Sequence, residues 1–144
     1  MNKVKINKAS LKDLSKLLSM TKSFPAFMVS KDKDFIRRKE LSEWIKRNDC
    51  IVLTAKQEKN ITGFLLAKLI SSDWCLLDSI GVKPEFRGQG IGSKLLEELY
   101  LVLKKKDVWY LQCLVKENEK ETREFWKKKG FKEGNKFVWI EKHL

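Results

Sequence analysis

The chain has 144 residues, of which 42% are hydrophobic and 35% charged, a composition that builds one buried core rather than a disordered polymer. No apolar run approaches the roughly 20 residues of a membrane span, and Met1-Asn2-Lys3-Val4-Lys5-Ile6 lacks the apolar stretch of a secretory signal, so a cytoplasmic protein with no membrane partner is expected. The net charge of +12 suits a polyanionic ligand, but the lysines are spread along the whole chain, which favours a solvated basic surface over a nucleic-acid groove.

Val4 to Asn7 alternates as a short first strand. Ser10 with Asp13 forms an N-cap signature for a helix whose apolar stripe is Leu11, Leu14, Leu17 and Leu18. Ser23-Phe24-Pro25-Ala26-Phe27-Met28 is apolar but broken by proline, hence a loop. A second helix is expected from about Asp34 to Arg47, with Phe35, Ile36, Leu41, Trp44 and Ile45 inward. From Cys50 the period changes. Cys50 to Ala55 and Ile61 to Ile70 read as antiparallel strands around the polar turn Lys56 to Asn60, and Trp74 to Val82 follows as the next strand.

Ile91 to Lys106 is the strongest helix pattern, with Ile91, Leu95, Leu96, Leu99, Val102 and Leu103 on one face. Val108 to Val115 reads as a strand. Asn118 with Glu121 is a second capping signature, for a helix ending at Lys129 before Gly130. The two lysine runs, Lys104 to Lys106 and Lys127 to Lys129, fall at the ends of these two helices, where cations suit the dipole. Phe131 to Glu133, a Gly134-Asn135 turn and Lys136 to Glu141 are expected to close the chain as a hairpin. The result is a single α/β domain over residues 1–144, without repeat or linker.

Cys50, Cys75 and Cys113 are widely spaced in apolar stretches and the only histidine is His143. No metal site is expected, and the cysteines read as buried free thiols.

The chemistry concentrates between Val82 and Gly92. Pro84 ends the strand, and Arg87-Gly88-Gln89-Gly90-Ile91-Gly92 leads into the long helix with glycine at alternate positions. Glycine permits positive φ and removes side chains that hold a ligand away from the backbone. Successive amides and the helix start then converge as an anion site. The dinucleotide fingerprint GxGxxG has the wrong spacing and lacks its acidic residue, and the P-loop GxxxxGK[ST] does not occur.

The full string Val82-Lys83-Pro84, Arg87 to Gly92 and Leu95-Leu96, with Phe125-Trp126 and Gly130-Phe131 further on, resembles the GCN5-related N-acetyltransferase (GNAT) superfamily, as does the element order. The resemblance implies a mixed, mostly antiparallel sheet of about seven strands, splayed between the fourth and fifth and flanked by about four helices. It implies acetyl-CoA as donor and direct acetyl transfer to a primary amine. The pyrophosphate would be held by Arg87, Gly88, Gln89, Gly90, Ile91 and Gly92. The pantetheine arm would pair along Ile80, Gly81 and Val82, with Asn118, Phe125 and Trp126 on its other side. Asn118 also reads as a plain N-cap.

The tyrosine that the family uses as acid is replaced here by Trp126, an indole that is no acid at neutral pH. Tyr110 and Tyr100 are expected to lie far from the cofactor gap. Candidate general bases are Asp78 first, with a strand carboxylate paired to a lysine as its plain alternative, then Glu117 and Glu119, which also read as plain surface acids. Phe24, Phe27 and Met28 are candidates for the acceptor wall, or for the core. Two other functions stay open: a non-catalytic acyl-CoA sensor or interaction module, and a nucleic-acid-binding protein. The strand Phe137 to Ile140 is a candidate for pairing in a homodimer.

Overall fold

The computed structural model describes residues 3–24, 27, 30, 31, 33 and 35–144. The chain divides into two compact units, Met1–Cys113 and Leu114–Leu144.

The first unit runs β1 (Val4–Lys8), α1 (Leu14–Lys22), α2 (Arg38–Lys46), β2 (Cys50–Gln57), β3 (Asn60–Leu69), β4 (Trp74–Val82), α3 (Ile91–Lys105) and β5 (Tyr110–Cys113). The strands form one sheet in chain order, antiparallel from β1 to β4 and parallel between β4 and β5. β2 and β3 are buried on both faces over most of their length, which explains why Ile51-Val52-Leu53 and Phe64-Leu65-Leu66 read as continuous apolar runs. Val52, Phe64 and Leu66 face Leu17, Met20, Leu41 and Ile45 of α1 and α2. The opposite face meets α3: a side chain added at Gly63 would touch Ile91 and Leu95.

Two helix starts of the first unit differ from the sequence reading. The Ser10 N–H donates to Asp13 Oδ2 at 2.9 Å, but this box opens a 3-10 turn, Leu11–Asp13, that leads into α1. Lys56 Nζ reaches the buried Asp13 at 2.7 Å and ties this turn to β2. α2 begins at Arg38 rather than near Asp34, which lies outside the described residues. Glu40 fixes that start by accepting the Arg37 N–H at 3.1 Å.

The second unit contains α4 (Lys120–Lys128). Its end is a Schellman cap: Gly130 has φ +87, the Phe131 N–H donates to the Trp126 carbonyl at 3.0 Å, and the Gly130 N–H to the Lys127 carbonyl at 3.0 Å. The Trp126 and Phe131 rings complete the motif with centroids 4.7 Å apart. Arg123 grips Glu133 by two bonds of 2.8 and 3.0 Å.

The α/β architecture, the mixed sheet and, among the described residues, the four α-helices follow the expectation, but the described sheet has five strands rather than about seven. The expected closing hairpin over residues 131–141 carries no helix or strand. Likewise Asn118 is not the cap of α4. Glu119 occupies that position, and Asn118 contributes only its carbonyl, to the Lys120 N–H.

No described helix is long and apolar enough to cross a membrane.

Candidate functional site

The site grows from the far half of β4. The register of β3 on β4 pairs Leu66 with Ser79 and Ala67 with Leu77, so Asp78 is the extra residue of a β-bulge. β5 pairs with β4 only from Trp74–Tyr110 to Leu77–Cys113. The bulge therefore sits where β5 leaves β4, and from there to Val82 no described strand pairs with β4 on that side.

Which backbone groups face the open side follows from the ladder. The Lys83 N–H donates to Thr62 O at 2.9 Å. Bonded and non-bonded pairs alternate in an antiparallel ladder, so Gly81 and Ser79 direct their backbone groups to β3. Ile80 and Val82 turn theirs outward. The Val82 carbonyl confirms this by accepting Arg87 Nε at 3.0 Å.

Past Val82, Lys83 leads into a 3-10 turn at Pro84–Phe86, and Arg87 is extended. Gly88 and Gly90 follow with φ +78 and +79. At both positions a Cβ would meet nothing within 4 Å, so glycine is required by backbone conformation, not by crowding within the protein. Gly90 caps α3, whose first internal bond is the Lys94 N–H to Gly90 O at 3.1 Å. Among the described residues, none of the N–H groups from Gly88 to Gly92 donates to a backbone carbonyl. These donors, the start of a 15-residue helix and the outward edge of Ile80 and Val82 form one continuous polar track. It fits an anionic group at one end and an extended amide-bearing chain along the other.

Arg87 joins the track to an aromatic cluster: its guanidinium lies 6.0 Å from the Phe24 ring centroid. Phe24 stacks on Phe27 at 5.2 Å and meets Phe64 edge-on at 5.7 Å. Phe27 in turn contacts Phe35 and Phe64. Gly81 seats this cluster, since a Cβ there would lie 2.7 Å from Phe64 Cε1 and 3.1 Å from Phe24 Cζ. Among the predicted cofactor residues Gly81 is thus distinct: its backbone faces β3 and its missing side chain admits two phenyl rings. The third acceptor-wall candidate, Met28, lies outside the described residues.

Asp78 is exposed as a residue, yet desolvation of its carboxylate raises its pKa. The neighbouring Ser79 hydroxyl acts the other way, and among the described residues its buried Oγ has no hydrogen-bond partner. By register Ser79 shares the face of Leu66, Phe64 and Gly81, the face that carries Phe24. No salt bridge to Asp78 occurs among the described residues, in contrast to the plain ion-pair reading.

The other base candidates are placed differently. Glu117 is exposed and bound to Lys136 Nζ at 2.7 Å, and that bond lowers its pKa. Glu119 begins α4. Trp126 is buried against Phe125 and Phe131, while Phe125 lines a shallow depression with Lys120, Glu121, Glu124 and Lys128. Tyr110 pairs with Trp74, eight residues along β4 from Val82, or about 26 Å. The Cys50, Cys75 and Cys113 thiols are all pushed up to about 11 by burial, which makes them poor nucleophiles at neutral pH. Among the described residues no cluster could hold a metal ion.

Residues 48–133 match the acetyltransferase (GNAT) domain family. The chain belongs to the GNAT acetyltransferase family. Solved structures agree on the GNAT fold. The PaiA N-acetyltransferase of Thermoplasma acidophilum, determined in complex with coenzyme A, is 26% identical with a TM-score of 0.79 over 90% of each chain. The aminoglycoside 6'-N-acetyltransferase AAC(6')-Ih of Acinetobacter baumannii is 18% identical with a TM-score of 0.82 over 99% of each chain. The ribosomal-protein-S18-alanine N-acetyltransferase of Escherichia coli is 21% identical with a TM-score of 0.76, over 92% of this chain and 80% of that one. No curated relative of this GNAT chain is found by sequence.

The sequence reading named Gly88 to Gly92 and Asp78 as candidates and gave Phe35 only as a core residue, but it did not single out Ser79 or Phe64. Ser79 and Phe64 carry no motif. Only the register of β3 on β4 brings them to one face.

Proposed function

We propose that the protein transfers an acetyl group from acetyl-CoA to a primary amine, with donor and acceptor meeting at the Asp78 bulge. The observation that carries this reading is the coincidence at Leu77/Asp78: β5 leaves β4 there, and the freed edge runs through Ile80 and Val82 into the glycine cradle.

Coenzyme A supplies the acyl group as an activated thioester. The N–H groups of Gly88 to Gly92 and the Arg87 guanidinium hold its pyrophosphate, and the outward groups of Ile80 and Val82 align its amide-bearing arm. The arm then points its sulfur end toward Asp78.

A primary amine with pKa ~10.4 is neutral in only about one molecule in 2,500 at pH 7, equivalent to roughly 4.6 kcal/mol. Asp78 answers that cost by accepting the amine proton, directly or through one water, and its raised pKa makes it a stronger base than an ordinary aspartate. Phe24 and Phe27 exclude water from the acceptor side, and the Ser79 hydroxyl offers a polar contact within that wall. A leaving thiol with pKa ~8.5 departs at neutral pH with little protonation, so Trp126 in place of an acidic tyrosine costs little.

Thiol release from acetyl-CoA over an amine panel tests the reading, paired with calorimetric binding of CoA to Gly90→Glu. Turnover with at least one amine and loss of CoA binding in the variant are expected. CoA binding that survives Gly90→Glu would overturn the cradle assignment. The second reading, an acyl-CoA sensor, is favoured by Trp126 alone. It predicts stoichiometric CoA binding with no turnover on any amine.

A further inference from the structure

Three aromatic side chains are exposed together where β4 and β5 begin: Trp74, Trp109 and Tyr110, at 39, 76 and 47%. Trp74 and Tyr110 are register partners, and the Tyr110 N–H donates to the Asp73 carbonyl at 3.0 Å, which brings Asp73 to the same spot. Both indoles are fixed by hydrogen bonds rather than left to rotate. Trp109 Nε1 donates to Asp73 Oδ2 at 3.2 Å, and Trp74 Nε1 to Gln112 Oε1 at 2.9 Å. The Tyr110 ring stands at 82° to Trp74 and 72° to Trp109, with centroids 6.0 and 5.6 Å apart. A cation held about 4 Å above each of two perpendicular rings sets their centroids about 5.7 Å apart, close to both separations. Trp74 and Val82 are the two ends of β4, so this patch takes no part in the cofactor track.

Charge and hydrogen bonding decide what fits. Asp73 Oδ1 accepts the Ser71 hydroxyl at 2.8 Å. Among the described residues no lysine or arginine pairs with this carboxylate. A purely apolar partner would cover a carboxylate left without a counter-charge, which is strongly unfavourable. A neutral polar partner needs free donors, and both indole N–H groups are already engaged. A cation with alkyl substituents meets both demands, since the ring faces attract it and Asp73 neutralises it. The net charge of +12 repels cations at long range, so such a ligand is held by these contacts and not by the general field.

We propose that Asp73, Trp74, Trp109 and Tyr110 form a binding site for an alkylammonium cation, carried by a free quaternary amine or by a methylated lysine side chain. The rings are held in place before the ligand arrives, so little side-chain freedom is lost on binding.

Choline and 3,3-dimethylbutan-1-ol share a shape and differ in charge, so the pair isolates the cation. In NMR titrations of the full chain with choline, the indole N–H resonances of Trp74 and Trp109 should shift together, with a Kd of about 1–10 mM. The alcohol should bind at least about tenfold more weakly. Trp109→Ala, at a largely exposed residue, should weaken choline about tenfold without moving Tm, and Asp73→Asn about fivefold. N-acetyl-trimethyllysine amide identifies the source: binding about tenfold tighter than choline assigns a polypeptide side chain, and equal binding a free amine. Equal binding of choline and the alcohol marks an apolar patch only and overturns the proposal. So does a wild type without shifts at about 50 mM choline, or wild-type affinity in Trp109→Ala.

Discussion

Replacing Gly81 by alanine isolates the claim that this glycine seats the acceptor wall. The new Cβ would lie 2.7 Å from Phe64 Cε1, 3.0 Å from its Cζ and 3.1 Å from Phe24 Cζ, against the roughly 3.5–4.0 Å of ordinary carbon contacts. Phe64 has no exposed surface and is hemmed by Phe24 and Phe27 at 5.7 and 5.8 Å, so its ring has no free volume to enter. Such overpacking costs about 1–3 kcal/mol, a fall in Tm of about 3–9 °C for a chain of this size. Because Gly81 directs its N–H and C=O to β3, CoA affinity should stay within about twofold, whereas the acceptor KM should rise severalfold through displaced Phe24. Differential scanning fluorimetry and steady-state kinetics measure both. Phe64→Leu removes the colliding ring atoms, so Gly81→Ala/Phe64→Leu should be less destabilised than the sum of the single variants by about 1–2 kcal/mol. A single variant that melts within about 1 °C of wild type, or strict additivity of the pair, would refute the packing argument.

Asp78→Asn should lower kcat/KM by about 10²–10⁴ with CoA affinity unchanged. Since desolvation raises the Asp78 pKa, wild-type activity should fall as pH drops through that raised value and the carboxylate takes up a proton. This acid limb should vanish from the profile of the variant, and a variant with full activity would remove Asp78 from the mechanism. Arg87→Ala should weaken CoA by about tenfold in a calorimetric titration. Arg87→Lys should recover little, because lysine cannot both reach the Val82 carbonyl and lie over Phe24; full recovery would show that charge alone matters. Asp13→Asn should cost about 2 kcal/mol in a urea titration. Burial alone would raise the Asp13 pKa, but the bonds from Lys56 and Ser10 outweigh it and leave the pKa lowered. Its contribution is therefore full above the unfolded-state pKa and is lost as pH falls through the depressed folded value, a slope that Asp13→Asn should flatten.

The central strands were legible because both faces of β2 and β3 are covered, which writes burial directly into Ile51-Val52-Leu53 and Phe64-Leu65-Leu66. The cradle was legible because positive φ at Gly88 and Gly90 is a local demand that only glycine meets cheaply. Asp78 could be placed on its strand, but its bulge depends on how β3 registers against it, and no local pattern encodes that. Gly81 and Ser79 have the same limit, since their surroundings are Phe64 and Phe24 from distant parts of the chain. The Gly130-Phe131 pair has a local cause as well, the Schellman cap that sets Phe131 against Trp126. The closing hairpin failed for another reason. Phe137 to Ile140 has strand propensity, and propensity alone does not fix a strand.

Amide NMR of the labelled protein titrated with CoA tests the central claim most directly. Resonances of Gly88 to Gly92 and of Ile80 and Val82 should shift together with one-to-one stoichiometry, while Ser79 and Gly81, turned to β3, shift much less. Shifts confined to other surfaces, or no alternation between Ile80 and Gly81, would contradict a cofactor laid along the β4 edge into the glycine cradle.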